Sequence, residues 1–331
     1  MRKLRGTVII AASAAVIAAS VLVGTGAAGT TAFAPGNLTY AGVDTRDGMS
    51  DIYVARSDGT ASSNITHDTL NRKDSTPSWS PEGRRIVFTR QASNQAGSSI
   101  MLVNADGSGL VNLTSSPVVT NGSSNIDPSW SPDGKRVVFA SNRDGNYDLY
   151  WLQPGSAQVY RLTATSAPVQ NLHPSWSPNG ESIVFSRSGL SVSSPATAQL
   201  FLLKTATGQT GRLTSPAQGL GDRAPVFAPN GSDIAFQSDR KGNNDIYVLH
   251  LGTSAVDQLT TWASSETEPS YAPDGSALVY VSTISGATEL WEQNLAGLAL
   301  VSKPIQITND KQFKSHPSWG RSTPAPIPSA G

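Results

Sequence analysis

The residues with the most evident chemistry each stand directly before a proline that recurs along the chain. Two of them are carboxylates, Asp127 and Glu268, and two are imidazoles, His173 and His316. Each acid comes one repeat ahead of a histidine, so the sequence predicts two acid–His pairs. Such groups bind divalent metals or the charged end of a peptide, and histidine adds sensitivity to pH near neutrality. The predicted site residues are Thr76, Asp127, His173, Arg223, Glu268 and His316.

These residues belong to a repeated sequence motif, and its clearest copy is D-P-S-W-S-P-D-G at residues 127–134. Its prolines recur at intervals of about 44 to 51 residues, which is typical of repeat architectures. Ser-Pro-Asp-Gly is a type I turn signature, since proline fixes φ at the second position and glycine suits the fourth. Three segments rich in β-branched and aromatic residues follow at 136–141, 148–152 and 158–163. Four short antiparallel strands per repeat are the unit of a β-propeller blade.

The two ends of the chain each supply part of one blade. Residues 38–41, 51–55 and 63–66 match the second, third and fourth strands of the repeat, whereas residues 316–319 supply only the first strand. The sequence therefore predicts an all-β fold, a six-bladed β-propeller over residues 36–320. Its ring is closed by the N-terminal strands plus the C-terminal strand, which leaves only short, protected strand edges.

In this arrangement the residue before each proline starts the innermost strand, at the mouth of the central channel. The two acid–His pairs are then expected on opposite sides of the channel. Where Ala224 takes this position, Arg223 is the nearest polar candidate. Residues 91–98 and 188–198 are loop insertions expected on the same face, and binding commonly resides in such loops on a rigid scaffold. The alternative is a hydrated rim that binds no ligand.

The repeat resembles that of the TolB-like family of β-propellers. The match rests on residues 128–134 (P-S-W-S-P-D-G), residues 142–150 (N-R-D-G-N-Y-D-L-Y) and the pair Leu162 and Thr163, and residues 238–247 and 45–53 repeat its middle portion. The resemblance spans about residues 38–320 and implies the propeller fold. It implies less about function, because such blades occur in Tol-system periplasmic proteins, in propeller domains of serine peptidases and in some polysaccharide lyases.

The N-terminus has the composition of an export signal. A basic start precedes an apolar run of small residues at 7–23, and small residues continue to Ala34. Residues 1–34 are therefore predicted to be a signal peptide, cleaved near Ala34 or Ala28, with an uncleaved membrane anchor as the alternative. Residues 321–331 are rich in Pro and Ser and are predicted to form a disordered tail.

The composition excludes several classes of function. The chain has 24 basic and 24 acidic residues, so it lacks the positive charge of a nucleic-acid binder. It has no cysteine, which excludes disulfides and cysteine-ligated metals. Nucleophile elbows, H-E-x-x-H segments and phosphate-binding glycine loops are absent from the sequence. His67 and His250 have no motif partner.

Two further recurring features are interpreted as structural. The aromatic residue at the fourth position of each repeat is predicted to pack between blades rather than to form a platform for carbohydrate. The acids that open the third strands are predicted to accept structural hydrogen bonds; they are Asp51, Asp148, Asp245 and Glu289. Calcium binding is the alternative, but one acid per blade is too dispersed for a calcium site.

The sequence thus predicts an exported, non-catalytic scaffold, extracellular or in the cell envelope or periplasm, that binds a protein or peptide partner at the channel mouth. One alternative is a metal-dependent lyase or lactonase whose metal is held by His173, His316, Asp127 or Glu268. Another is a regulatory propeller for a separate hydrolase. No cofactor is predicted for the scaffold, whereas the lyase alternative requires a divalent metal in the channel. The protein is predicted to be a monomer, without a nucleic-acid partner, and without a membrane anchor once the signal is cleaved.

Overall fold

The computed structural model describes residues 36–67, 72–92, 96–115, 122–189, 197–215, 220–296, 299–300 and 302–321. Within these ranges every regular element is a β-strand, which confirms the predicted all-β class. The same ranges contain no helix long and apolar enough to cross a membrane. The predicted signal peptide, and all but the first residue of the predicted tail, lie outside the described residues.

The strands form six antiparallel sheets, which are the six blades of the propeller. Blade 1 contains β25 (Lys314–Gly320), β1 (Asn37–Val43), β2 (Ser50–Arg56) and β3 (Ser63–Asn64). Blade 2 contains β4 (Arg72–Trp79), β5 (Arg85–Ala92), β6 (Ser99–Asn104) and β7 (Val111–Asn112). Blade 3 contains β8 (Asn125–Trp130), β9 (Val137–Ser141), β10 (Asp148–Leu152) and β11 (Val159–Arg161).

The remaining three blades complete the ring. Blade 4 contains β12 (Gln170–Trp176), β13 (Ser182–Ser188), β14 (Gln199–Lys204) and β15 (Thr210–Arg212). Blade 5 contains β16 (Asp222–Phe227), β17 (Asp233–Ser238), β18 (Asp245–His250) and β19 (Val256–Gln258). Blade 6 contains β20 (Glu266–Tyr271), β21 (Ala277–Ser282), β22 (Glu289–Ala296), β23 (Ala299–Leu300) and β24 (Ile305–Gln306).

The inner strand of each blade carries the recurring proline, and the inner strands of successive blades contact one another around the ring. They are β25, β4, β8, β12, β16 and β20. Blade 1 lies between blades 6 and 2 in this order, as the predicted closure requires. Each position of the repeat therefore has a counterpart three blades away, on the opposite side of the channel.

Blade 3 shows how the repeat sets its own geometry. The N–H of Gly134 donates to the carbonyl of Ser131 at 2.9 Å, with φ of 68° at the glycine, so the Ser-Pro-Asp-Gly turn closes as its sequence predicts. The N–H of Ser131 then donates to the carbonyl of Arg136 at 2.9 Å and starts the ladder between β8 and β9. Every residue of β9 is buried, which explains its run of β-branched and aromatic residues.

The hydrophobic core is divided among the junctions between blades. The aromatic residue at the end of each inner strand is buried and packs against strands of the preceding blade. Trp130 of β8, for example, packs with Val87 and Ile100 of blade 2. Burial of a large apolar side chain contributes about 1.5 to 3 kcal/mol, so these residues stabilise each junction. The full set is Trp79, Trp130, Trp176, Phe227, Tyr271 and Trp319.

The ring closes in blade 1 through pairing of the two ends of the chain. Strand β25 is antiparallel to β1, with Trp319 opposite Leu38. The inner strand is also tied to both neighbouring blades, because Trp319 N–H donates to Ser270 Oγ at 3.1 Å and Ser318 Oγ accepts from Trp79 N–H at 3.3 Å. The predicted closure by the N-terminal strands plus the C-terminal strand is confirmed.

Candidate functional site

A β-bulge interrupts each inner strand at the recurring proline. The pairing register shifts there in all six blades. Proline has no N–H to donate to a ladder, so it is tolerated at a bulge, and it also disfavours the right-handed helical region for the residue before it. That residue has a positive φ in every blade: Thr76 49°, Asp127 55°, His173 52°, Ala224 48°, Glu268 54° and His316 50°.

These bulges aim one residue of each blade into the channel, as bulges commonly re-aim side chains near functional sites. The six residues and their prolines line one cavity of about 130 Å³, which we call the channel mouth. Five of the six predicted site residues line it; Arg223 does not, and Ala224 takes its place. The inner strands begin two to four residues earlier than predicted, so these residues lie within the strands rather than at their first positions.

Two acid–His pairs occupy opposite sides of the channel mouth. Glu268 Oε2 accepts a hydrogen bond from the backbone N–H of His316 at 2.5 Å, and Oε1 lies 3.2 Å from Nε2 of the same histidine. Asp127 Oδ2 accepts from the N–H of His173 at 3.2 Å and lies 3.8 Å from its Nε2. Each carboxylate is therefore positioned by the backbone of the next blade, and its imidazole partner lies beside it.

The remaining two positions of the mouth carry no charge. Thr76 is tied to Thr89 through their hydroxyl groups at 2.7 Å. Ala224 presents only a methyl group between His173 and the opposite pair. The guanidinium of Arg223 lies outside the cavity, where its Nη1 is 3.7 Å from Asp239 Oδ2. Neighbouring residues of a strand point to opposite sides, so the side chain of Arg223 is directed away when Ala224 faces the channel.

The acids that open the third strands are acceptors within the fold. Asp148 accepts from Thr163 Oγ1, Arg161 Nη2 and Asn171 Nδ2, each at 2.7 Å. Burial raises the pKa of Asp148, but the hydrogen bonds from Arg161 and the threonines outweigh it and hold the pKa below its usual value. Asp245 and Glu289 accept the equivalent threonine hydroxyl in their own blades. These three acids are therefore held by hydrogen bonds within their own blades or to the next one.

Glu266, two residues before Glu268, was missed by the sequence analysis. It is fully buried at the start of β20, and its Oε1 accepts from Ser264 Oγ at 2.5 Å and Ser282 Oγ at 2.8 Å. In blade 5 the residue at this position, Asp222, pairs with Arg240 at 2.7 Å. Blade 6 has Ile284 where that arginine would stand. Burial, the largest cause, raises the pKa of Glu266 to about 7.

A second group missed in the sequence lies in blade 1. Nδ1 of His67 is 3.3 Å from Asp44 Oδ2 and 3.6 Å from Asp51 Oδ2, so these residues have the spacing of a metal-ligand set. Both carboxylates are already engaged, because Asn64 Nδ2 donates to them at 2.9 and 2.7 Å and Arg46 Nε donates to Asp44 at 2.9 Å. The hydrogen bond from Arg46 holds the pKa of Asp44 well below its usual range.

His250 also has partners that its sequence context did not reveal. Its Nδ1 lies 2.8 Å from Asp233 Oδ1, and its Nε2 lies 3.1 Å from Asp257 Oδ2. The hydrogen bond with Asp233 is the largest cause that raises the pKa of His250. These two contacts join β17, β18 and β19 of blade 5 and lie away from the channel mouth.

Comparison with known proteins gives one consistent family. The family model described as TolB beta propeller domain matches residues 75–194, 111–216 and 192–322. A protein TolB homolog of Chlorobium luteolum is 30% identical over 212 residues, which is 64% of this chain and 34% of the relative. A Tol-Pal system protein TolB of Francisella tularensis is 31% identical over 212 residues, or 61% of this chain and 43% of the relative. The matched region is thus less than half the length of these relatives.

Solved structures share the fold at lower identity. TolB from Acinetobacter baumannii superposes with a TM-score of 0.69 at 20% identity, covering 87% of this chain and 67% of that one. An oligogalacturonate lyase in complex with manganese superposes with a TM-score of 0.52 at 16% identity, covering 82% of this chain and 74% of that one. At such identities the likeness concerns the fold alone.

Proposed function

This chain belongs to the TolB β-propeller family, and on that basis we propose that it is an exported, non-catalytic scaffold of the cell envelope that binds a protein partner at its channel mouth. Relatives at about 30% identity include a Tol-Pal system protein, which supports a place in the cell envelope. The predicted export signal agrees with this location. The proposal concerns the propeller, because the match covers less than half of the relatives' length.

The observation that carries the proposal is the size and lining of the channel mouth. Its volume of about 130 Å³ is well below the range of about 300 to 1,000 Å³ typical of small-molecule pockets. A cavity of this size holds a few water molecules or the end of one side chain. It therefore suits a side chain projecting from a protein surface better than an oligosaccharide.

The lyase or lactonase alternative needs converging metal ligands, and the mouth separates them. His173 lies with Asp127 on one side of the ring and His316 lies with Glu268 on the other. Within the described part of the chain, the three-residue group with metal-ligand spacing is instead Asp44, Asp51 and His67, in blade 1. The geometry of the mouth thus favours a scaffold over a metal-dependent enzyme.

Site-specific photo-crosslinking in the native host tests the proposal. A benzoylphenylalanine at Ser285 places the probe on an exposed loop of blade 6 that opens onto the mouth face. The matched control is the same residue at Asp274, in an exposed turn at the other end of that blade. We expect one protein adduct from position 285 and none from position 274. Absence of an adduct at 285, or equal adducts at both positions, would overturn the proposal.

A further inference from the structure

On the premise of the proposed function, we infer that the channel mouth recognises one positively charged side chain of the partner, a lysine or an arginine, between the carboxylates of Asp127 and Glu268. The mouth is lined by six prolines and the six residues that precede them. Among the residues that the structure describes, this lining includes two carboxylates and neither lysine nor arginine. By formal charge, with histidine counted as neutral, the lining carries a charge of −2.

The apolar walls of the mouth strengthen the electrostatic attraction between these carboxylates and a cation. Six proline rings surround the carboxylates, and an apolar wall lowers the local dielectric, which strengthens the attraction of a bound cation. Clefts lined by one sign of charge also concentrate the field and attract ligands of the opposite sign. A cationic side chain would therefore be favoured over a neutral or acidic one.

The two acids are held in place before a ligand arrives. The backbone N–H of His173 fixes Asp127, and that of His316 fixes Glu268. Both contacts from His173 fall on Oδ2 of Asp127, so within the described residues Oδ1 retains its capacity to accept from a ligand. An acceptor that is already oriented loses little entropy on binding, which favours affinity.

The fold also leaves space for the cation. Ala224 carries only a methyl group where the other blades carry larger side chains, and this widens the mouth between His173 and Glu268. Arg223, which precedes Ala224 in the chain, lies outside the cavity beside Asp239. The volume of about 130 Å³ accommodates the end of one lysine or arginine side chain.

A side chain fits this arrangement better than a calcium ion does. Calcium gathers six to eight oxygen atoms at about 2.3 to 2.6 Å. Asp127 and Glu268 lie three blades apart, on opposite sides of the ring. An ammonium has three donors and a guanidinium has five, and these can reach acceptors on two sides of a cavity.

Titration with n-butylammonium, followed by amide NMR of the full chain, tests the inference. The neutral isostere n-butanol is the control ligand, and the reporters are the backbone amides of His173 and His316, which donate to the two carboxylates. We expect n-butylammonium to shift both amides and n-butanol to shift neither. The double variant Asp127→Asn with Glu268→Gln should bind n-butylammonium about tenfold more weakly or worse. Asp257→Asn, which removes an exposed carboxylate of blade 5, should bind as the unaltered protein does.

Three results would overturn the inference. They are equal shifts with n-butanol, an unchanged affinity in the double variant, and shifts that appear with calcium chloride but not with n-butylammonium. An adduct from position 285 combined with any of them would leave the proposed function standing and reject only the cationic side chain. Absence of that adduct would reject the proposed function itself, whether or not n-butylammonium binds.

Discussion

Glu266 lies beside Asp245 at the junction of blades 5 and 6, at the position of the inner strand that Asn171 occupies beside Asp148 at the junction of blades 3 and 4. Asn171 donates an amide hydrogen to its aspartate at 2.7 Å. A carboxylate has no hydrogen to donate, so Glu266 can bond to Asp245 only while one of the two acids is protonated. Burial first, and then the neighbouring Asp245, raise the pKa of Glu266 to about 7.

The first prediction concerns pH. Unfolded Glu266 titrates near pH 4.5, whereas the folded protein keeps its proton until about pH 7. The folded state binds more protons in this window, so its stability falls as the pH rises from about 4.5 to 7 and then levels off. Glu266→Gln keeps a hydrogen donor without a charge. It should flatten this dependence and stabilise the fold at pH 8 by up to about 3 kcal/mol, measured by urea unfolding.

His250 also makes the folded protein less stable as the pH rises, because its raised pKa adds stability below neutrality that is lost at higher pH. The difference in stability between the unaltered protein and Glu266→Gln, taken at each pH, separates the contribution of Glu266 from that of His250. Glu181→Gln, at an exposed position of blade 4, is the control and should leave the pH profile unchanged. An identical profile in Glu266→Gln would contradict the raised pKa of Glu266.

Asp148 should make stability depend on pH in the opposite direction to Glu266. The pKa of Asp148 is lowered, so its contribution to stability is present above its unfolded pKa and is lost as the pH falls. Asp148→Asn should destabilise the fold by about 3 kcal/mol at pH 7, because it breaks a buried charge network. If the acid is structural, EDTA should leave the midpoint of thermal unfolding unchanged. A fall of the midpoint with EDTA in the unaltered protein, but not in Asp148→Asn, would support calcium instead.

The third prediction concerns closure of the ring. A Cβ added at Gly320 would lie 2.6 Å from Cγ of Trp79, so Gly320→Ala forces the indole out of the junction of blades 1 and 2. Overpacking of this kind costs about 1 to 3 kcal/mol. Gly252→Ala is a matched control, since no atom of the described residues lies within 4 Å of its added Cβ. Urea unfolding should show a loss in Gly320→Ala only; equal stability of both variants would contradict the described packing at the closure.

Substitutions at Ala224, an uncharged position of the mouth, should show whether the mouth favours a cation. Ala224→Lys would place an ammonium group among the acids of the mouth, whereas Ala224→Met adds an unbranched apolar chain without a charge. The lysine variant should be the more stable of the two by about 1 kcal/mol, since a charge-assisted contact is gained. Equal stability, or a more stable methionine variant, would show that the mouth does not favour a cation. Thermal unfolding at low ionic strength is the measurement.

Local sequence patterns were sufficient to predict the architecture. The Ser131–Gly134 turn depends on φ preferences of proline and glycine within four residues, and it forms as expected. The split blade was predictable because residues 38–66 lack the first strand that residues 316–319 supply. The burial of Trp130 followed from its recurrence in each repeat. The turn depends on residues close together in sequence, and the split blade and the buried aromatic residue depend on recurrence of the motif.

The details of the site depend on contacts that are distant in sequence. Ala224, not Arg223, faces the channel because it lies at a bulge in its inner strand, and composition does not predict that bulge. Glu266 owes its raised pKa first to burial and then to Asp245, and both depend on how blades 5 and 6 pack together. The partners of His67 were hidden because Asp44 directly follows β1 and Asp51 lies in β2, both distant from His67 in sequence. Comparison of the six repeats, position by position, would have found Glu266.

The affinity of the crosslinked partner, measured by calorimetry, tests the central claim most directly. The purified partner would be titrated into the unaltered protein, the Asp127→Asn and Glu268→Gln double variant, and Asp257→Asn. Since the partner is proposed to bind through the carboxylates of the mouth, the double variant should bind about tenfold more weakly or worse, and Asp257→Asn should bind with unchanged affinity. The same affinity for all three proteins would contradict recognition at the channel mouth.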